Sequence, residues 1–363
     1  MRRIEMKRLL KTALAAAVCA GLLAAPAWAA YKQEYKLSVV PSATSGWGLS
    51  AAYFADIVNK KTDGRINIKV YPGAQLMAGK QTHELLLVRN GAIDFSLAST
   101  INWSPQLKQL NLFSLPFFVA NNPDRYKAMD AIESGTAGKM IIATVEKAGV
   151  KFIGWAENGF RELTTSKGPI NKPADMKGMK LRVVGTPIFI DIFSALGANP
   201  QAINWAEAVT GFEQGIVDGQ ENPTNGINIP LQIWTWHKFH TDWHYMNDPL
   251  LLTANLKVWK EFTPEDQAIL LDCAKEAEKY SKALSRIGFD DGSALAYLQG
   301  IGKVPSVSDP YGTMEAHQMN IVKFTPEQIA EFYAATQGVR DKWTKEIGPE
   351  LVSAAEADMK AVR

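Results

Sequence analysis

Arg161 and Arg182 each interrupt a short apolar run that reads as a β-strand, and Asn222 sits in the turn-like Gln220-Glu221-Asn222-Pro223. A strand of apolar neighbours is buried, and a buried arginine needs a partner. No acidic residue lies within three positions of Arg182. Either a distant Asp or Glu pairs with it, or a ligand carboxylate does. Arginine offers paired planar donors that match a carboxylate, and asparagine can donate and accept. One buried arginine alone reads as a structural ion pair. Two in one region, with Asn222 nearby, read as an anion receptor.

Other chemistry is poorly supported. There is no Gly-rich phosphate loop after a strand, no GxSxG and no HExxH. His237, His240 and His244 fall at i, i+3 and i+7, one face of a helix if the segment is helical. Lys238 and aromatic residues interleave them, and no carboxylate or cysteine completes a ligand set at tight spacing. We therefore expect no metal and no cofactor, with the histidines in core or interface roles. Trp47, Trp103, Trp155 and Trp205 fall at strand ends or loops, positions that suit pocket walls.

These residues must be positioned by a scaffold, and the pattern of the chain supplies one. Strand-like runs at 35–40, 65–71 and 93–98 alternate with helical spacing at 49–61 and 79–90. That rhythm predicts an α/β lobe with a largely parallel sheet, in which ligands bind beyond the carboxyl ends of strands. The loop at 99–103, with Ser99 and Trp103, is then a candidate wall. Further strands are predicted at 150–155 and, separately, at 160–165. Arg182 lies in a strand at 180–184, followed by helices at 187–196 and 205–214. A strand at 248–253 reads as a return to the first lobe. Thr263-Pro264-Glu265-Asp266 carries a helix-start signal, and the helix is expected to run beyond residue 285, toward 296.

The N-terminus sets the compartment. Arg2, Arg3, Lys7, Arg8 and Lys11 precede an apolar run at 14–23 and the small-x-small Ala27-Trp28-Ala29. This predicts a secretory signal peptide over 1–29. Its removal takes five basic residues and one acidic one from totals of 39 and 37, leaving a net charge of −2. The basic balance of the full chain therefore says nothing of nucleic acid. Cleavage also removes Cys19 and leaves Cys273 alone, so no intrachain disulfide is expected. No later apolar run reaches membrane-spanning length, and the mature chain is expected to be soluble and exported. Its length, about 330 residues, suggests two lobes.

Four blocks carry a resemblance: YPGAQL at 71–76, NGFR at 158–161, MKGMKLRV at 176–183 and VDGQENP at 217–223. With them, nearly the whole mature chain resembles the solute-binding subunits of tripartite ATP-independent periplasmic (TRAP) transporters, the DctP-like family. The resemblance implies two α/β lobes joined by hinge strands, with one long helix, that starting at Pro264, spanning both. Lobe I would comprise 30–157 plus 248–290, and lobe II 158–247 plus 291–363. It implies a periplasmic receptor, not an enzyme, that closes over an organic acid and delivers it to membrane permease subunits. Arg182 falls on the arginine that pairs with the ligand carboxylate, Arg161 on a second arginine, Asn222 on a pocket asparagine and Trp205 on an aromatic over the ligand. Ser99 stands where sialic-acid-binding members carry Glu, and Val184-Gly185 where they carry Asn. Sialic acid is thereby disfavoured. Trp47, Trp103 and Trp205 would instead enclose an aromatic or branched acid, with Gly185 beside them. The rival readings are the binding module of another importer, a ligand sensor, and a secreted metal-dependent enzyme using the three histidines.

Overall fold

The computed structural model describes residues 31–120 and 122–363. The expected signal peptide lies outside the described residues.

Ten strands form two sheets that share members. They are β1 (Tyr35–Ser38), β2 (Ile68–Tyr71), β3 (Phe95–Ser99), β4 (Val150–Thr165) and β5 (Lys180–Val183). The rest are β6 (Asn199–Ala202), β7 (Gly219–Pro223), β8 (Phe239–Asp242), β9 (Asn247–Asn255) and β10 (Asn320–Lys323). The first sheet runs β2-β1-β3-β9-β4, and the second continues β4-β7-β5-β6. β8 pairs with the free side of β4, and β10 with β8. Within each half the βαβ partners are parallel, as β1 is with β2 and β3, and β5 with β6 and β7. β9 lies antiparallel between β3 and β4. Helices cover both faces, so β3 and β9 are buried along their whole length.

The two strands expected at 150–155 and 160–165 are one. β4 runs unbroken for 16 residues, pairing first with β9 and then with β7 and β8. Its register slips between Phe152 and Gly154 and again between Glu157 and Gly159. The polar Glu157-Asn158-Gly159 interrupts the apolar run, and Gly159 at φ +120° absorbs the bend inside the strand. Any side chain at Gly159 would stand 2.7 Å from Ser285 Oγ.

The helix Pro264–Arg286 begins as expected, with Thr263 Oγ1 accepting from the Asp266 amide at 3.2 Å. It packs on β4, on the helix Gly46–Lys61 and on the turn Thr224–Asn228, so it touches the elements of both sheets. It stops ten residues short of the expected end. Gly288 takes φ +80° where a Cβ would collide with Pro310, and a separate helix, Ser293–Gly300, follows. The C-terminal helix Pro349–Lys360 returns to pack on Arg125–Ser134 and Thr136–Lys147, helices that precede β4. Among the described residues no helix is long and apolar enough to cross a membrane.

Candidate functional site

A cavity of ≈ 320 Å³ lies between the two sheets. Arg161, Arg182, Asn222, Trp205, Trp47 and Ser99 all line it. Six different elements bring them there. Arg182 is on β5, with Gln220 of β7 on one side and Gln201 of β6 on the other. Arg161 is on β4 opposite Pro223, and Asn222 is on β7 opposite Glu162. Trp205 opens the helix Trp205–Glu213, and Trp47 lies in the first turn of Gly46–Lys61. Ser99 ends β3 and caps the short helix Thr100–Trp103, accepting from the Ile101 amide at 3.1 Å.

The two arginines have different duties. Arg161 is fully engaged. Its Nε and Nη2 fork onto the Glu221 carboxylate, with Nη2 to Oε1 at 2.8 Å, and Nη1 reaches Asp248 Oδ2 at 3.3 Å. Burial alone would lower its pKa, but Glu221 and then Asp248 outweigh that and hold it above the ordinary range. Tyr245 completes the cluster by donating to Glu221 at 2.7 Å. Arg161 is thus a wall of the cavity with its own counter-ions.

Arg182 is equally buried, at 1% exposure, but lacks such a partner. Nε donates to the Ile203 carbonyl at 2.9 Å, and the guanidinium lies 5.4 Å over the Trp205 ring. Its Nη2 is buried with no hydrogen-bond partner among the described residues. Burial pushes its pKa down to about 10; the attraction of Glu221 offsets this only in part, and Arg161 adds to it. A buried donor left unsatisfied costs about 1–3 kcal/mol, more when charged. An entering carboxylate removes that cost.

Two expected residues are elsewhere. Trp103 is fully buried behind the wall, its Nε1 donating to Glu84 Oε2 at 3.2 Å. The short helix that Ser99 caps turns its side chain into the core, leaving Ile101 and Asn102 on the cavity. Gly185 is in an exposed bend after β5, and Val184 takes the wall position instead.

The structure adds Gln81, Asn158 and Asp248 to the wall. Gln81 bridges the cleft, donating to Asn102 Oδ1 at 2.7 Å and accepting from the Trp205 amide at 2.6 Å. Asp248 accepts from Ser99 Oγ at 2.6 Å and from Asn158 Nδ2 at 2.8 Å. Asp248 could have been found by the argument used for Arg182, since it is a charge inside an apolar strand run. Gln81 carried no such signal.

The histidines share no helix and no site. His237 precedes β8 and pairs with Thr164 Oγ1 at 2.8 Å, while burial lowers its pKa to about 4. His240 is on β8 and is likewise pushed down by burial. His244 lies between Glu162 Oε1 at 2.5 Å and Asp242 Oδ1 at 3.1 Å, away from the cavity. Burial would lower its pKa, yet Glu162 and Asp242 outweigh it and hold it up at about 10. These three are the group among the described residues whose donor atoms lie close enough for a metal. Their arrangement is that of an imidazolium between two carboxylates.

Two α/β sheets that share strand β4 around a small cavity, with one buried arginine at its wall that has no ion-pair partner among the described residues, define a cleft-type solute receptor. Residues 37–287 match the family described as bacterial extracellular solute-binding protein, family 7, or DctP, and the chain belongs to it. A TRAP periplasmic solute-binding protein from Ralstonia eutropha, solved with bound (S)-2-acetolactate, is 45% identical, with a TM-score of 0.83. The match covers 91% of this chain and all of that one. The 2,3-diketo-L-gulonate-binding periplasmic protein of Escherichia coli is 31% identical over 73% of this chain and 79% of its own length. The C4-dicarboxylate-binding periplasmic protein of Rhodobacter capsulatus is 25% identical over 89% of this chain and 90% of its own.

Proposed function

We propose that this TRAP-type receptor binds a small organic acid in the cavity by its carboxylate, with Arg182 as the anchor. The observation that carries the reading is the buried Arg182 guanidinium, whose Nη2 lacks an acceptor at a cavity wall. The cavity is small, which favours a short acid. The acetolactate in the Ralstonia relative is of that size class. Asn222, Trp205, Trp47 and Ser99 form the remaining contacts, with Arg161 holding the wall.

The receptor makes and breaks no bond. Its work is recognition and a two-state closure, in which a ligand touching both lobes favours the closed form. The Gln81–Trp205 hydrogen bond across the cleft is one contact that closure makes. The loaded receptor then delivers its acid to TRAP permease subunits from the periplasm, where the leader at 1–29 directs it. The lobes divide at 157/158, inside the shared strand β4, and at 247/248, at the start of β9.

A thermal-shift screen of short organic acids tests the reading. A saturating ligand raises the melting temperature by linkage, about 2.7 kcal/mol at a hundredfold excess over Kd. If no carboxylate shifts the transition while a neutral sugar does, the reading fails.

A further inference from the structure

Resting on the Arg182 anchor, we propose that Asn158 and Asp248 form a second subsite that takes a ligand hydroxyl and turns away diacids. The receptor thereby selects hydroxy monocarboxylates.

Two buried groups on the cavity wall have opposite needs. Arg182 Nη2 is a donor without an acceptor, and Asn158 Oδ1 is an acceptor without a donor. The amide orientation of Asn158 is set by its neighbour. Nδ2 donates to Asp248 Oδ2 at 2.8 Å, and the Asp248 carboxyl also accepts from Ser99 and Arg161. Oδ1 is therefore held as the acceptor. A ligand that satisfies both atoms carries an acceptor at one end and a donor at the other, as a hydroxy acid does.

The charges point the same way. The buried ionic groups at the wall are Arg161, Arg182 and Asp248, and Glu221 is paired to Arg161, making two of each sign. Arg161 already serves two carboxylates, closely at Glu221 and at 3.3 Å to Asp248. One ligand carboxylate finds Arg182. A second finds no remaining cation among these groups and meets Asp248. Like charges brought together in a buried site cost several kcal/mol, whereas a hydroxyl brings no charge and supplies a donor. Ser99 Oγ, at 2.6 Å from Asp248 Oδ1, and Asn158 hold the carboxylate in place, so it cannot swing out of the way.

Calorimetry with three acids of one carbon skeleton tests this on the wild-type protein. They are 2-hydroxy-2-methylbutanoate, 2-methylbutanoate without the hydroxyl, and 2-ethyl-2-methylmalonate with a carboxylate in its place. The hydroxy acid should bind about 10- to 100-fold more tightly than the deoxy acid. The diacid should bind more than about 100-fold more weakly than the hydroxy acid. Asp248→Asn keeps the shape and removes the charge, so it should narrow the diacid gap at least about tenfold. If that variant does not fold by circular dichroism, the wild-type ratios decide alone. Equal affinity for the hydroxy and deoxy acids overturns the proposal, as does a diacid bound as tightly as the hydroxy acid. Arg182→Ala, measured with the tightest acid, separates the two readings. Loss of binding there, with flat ratios in the wild type, keeps the anchor and sinks the hydroxyl subsite. If none of the three acids binds, the proposal falls, and the wider thermal-shift screen decides the anchor.

Discussion

Replacing Arg182 with Met should move ligand binding and the stability of the unliganded protein in opposite directions. The guanidinium is buried, and its pKa is pushed down to about 10, chiefly by burial. That shift corresponds to roughly 3 kcal/mol against the charged form. The unfolded chain holds the proton more tightly, so the penalty is present at neutral pH and fades only as pH rises above about 10. Met fills similar volume without charge. Replacing a buried charge by a packed apolar group is often neutral or stabilising. Loss of the Ile203 bond and the Trp205 contact works against the gain. The unliganded Arg182→Met protein should therefore melt at or above the wild-type temperature. Binding should fall by about 2–5 kcal/mol, or roughly 30- to 4000-fold, because the ligand carboxylate is left buried and unpaired. Differential scanning calorimetry reads the first quantity and titration calorimetry the second. Affinity within a few-fold of wild type would refute the anchor. A large drop in unliganded melting temperature would show that Arg182 has a counter-ion of its own.

Arg161→Met should do the reverse, lowering stability by about 3–5 kcal/mol in urea unfolding, because Glu221 and Asp248 lose their shared cation. An unchanged midpoint would contradict its structural role. His244 is raised to about 10, so its ion triad stabilises fully below pH 6.5 and is lost as pH rises through 10. The melting-temperature gap between wild type and His244→Gln should shrink from pH 6 to pH 10, and a pH-independent gap would refute the triad. Burial raises Glu84 to about 8 against the hydrogen bonds from Ser38 and Trp103. Its native state therefore keeps a proton that the unfolded chain loses, and stability declines from about pH 4.5 to pH 8. Glu84→Gln should flatten that decline and melt higher than wild type at pH 9; a lower melting point at that pH would count against a neutral Glu84.

Arg182 was legible because a cation amid Leu181, Val183 and Val184 is anomalous in any strand. The same rule picked out Arg161, but Glu221 is 60 positions away and nothing local announces it as a partner. Sequence therefore located both charges and left open which one is compensated. Trp103 fell in the right loop and on the wrong side of it, since a single helical turn after Ser99 decides which side chains face the cavity. Gln81 and Asn158 were invisible, being common polar residues whose meaning comes from Trp205 and Asp248 across the cleft. Strand β4 was read as two pieces because Glu157, Asn158 and Gly159 interrupt the apolar run. Glu157 is instead engaged inside the fold by Ser285 and Arg286, and the Asn158 side-chain NH2 by Asp248.

Because β4 belongs to both sheets, neither half of this molecule is a cassette. A fragment cut within β4 would split a central strand and expose open sheet edges. A change of specificity confined to the few wall positions, such as Asp248, leaves that woven centre untouched.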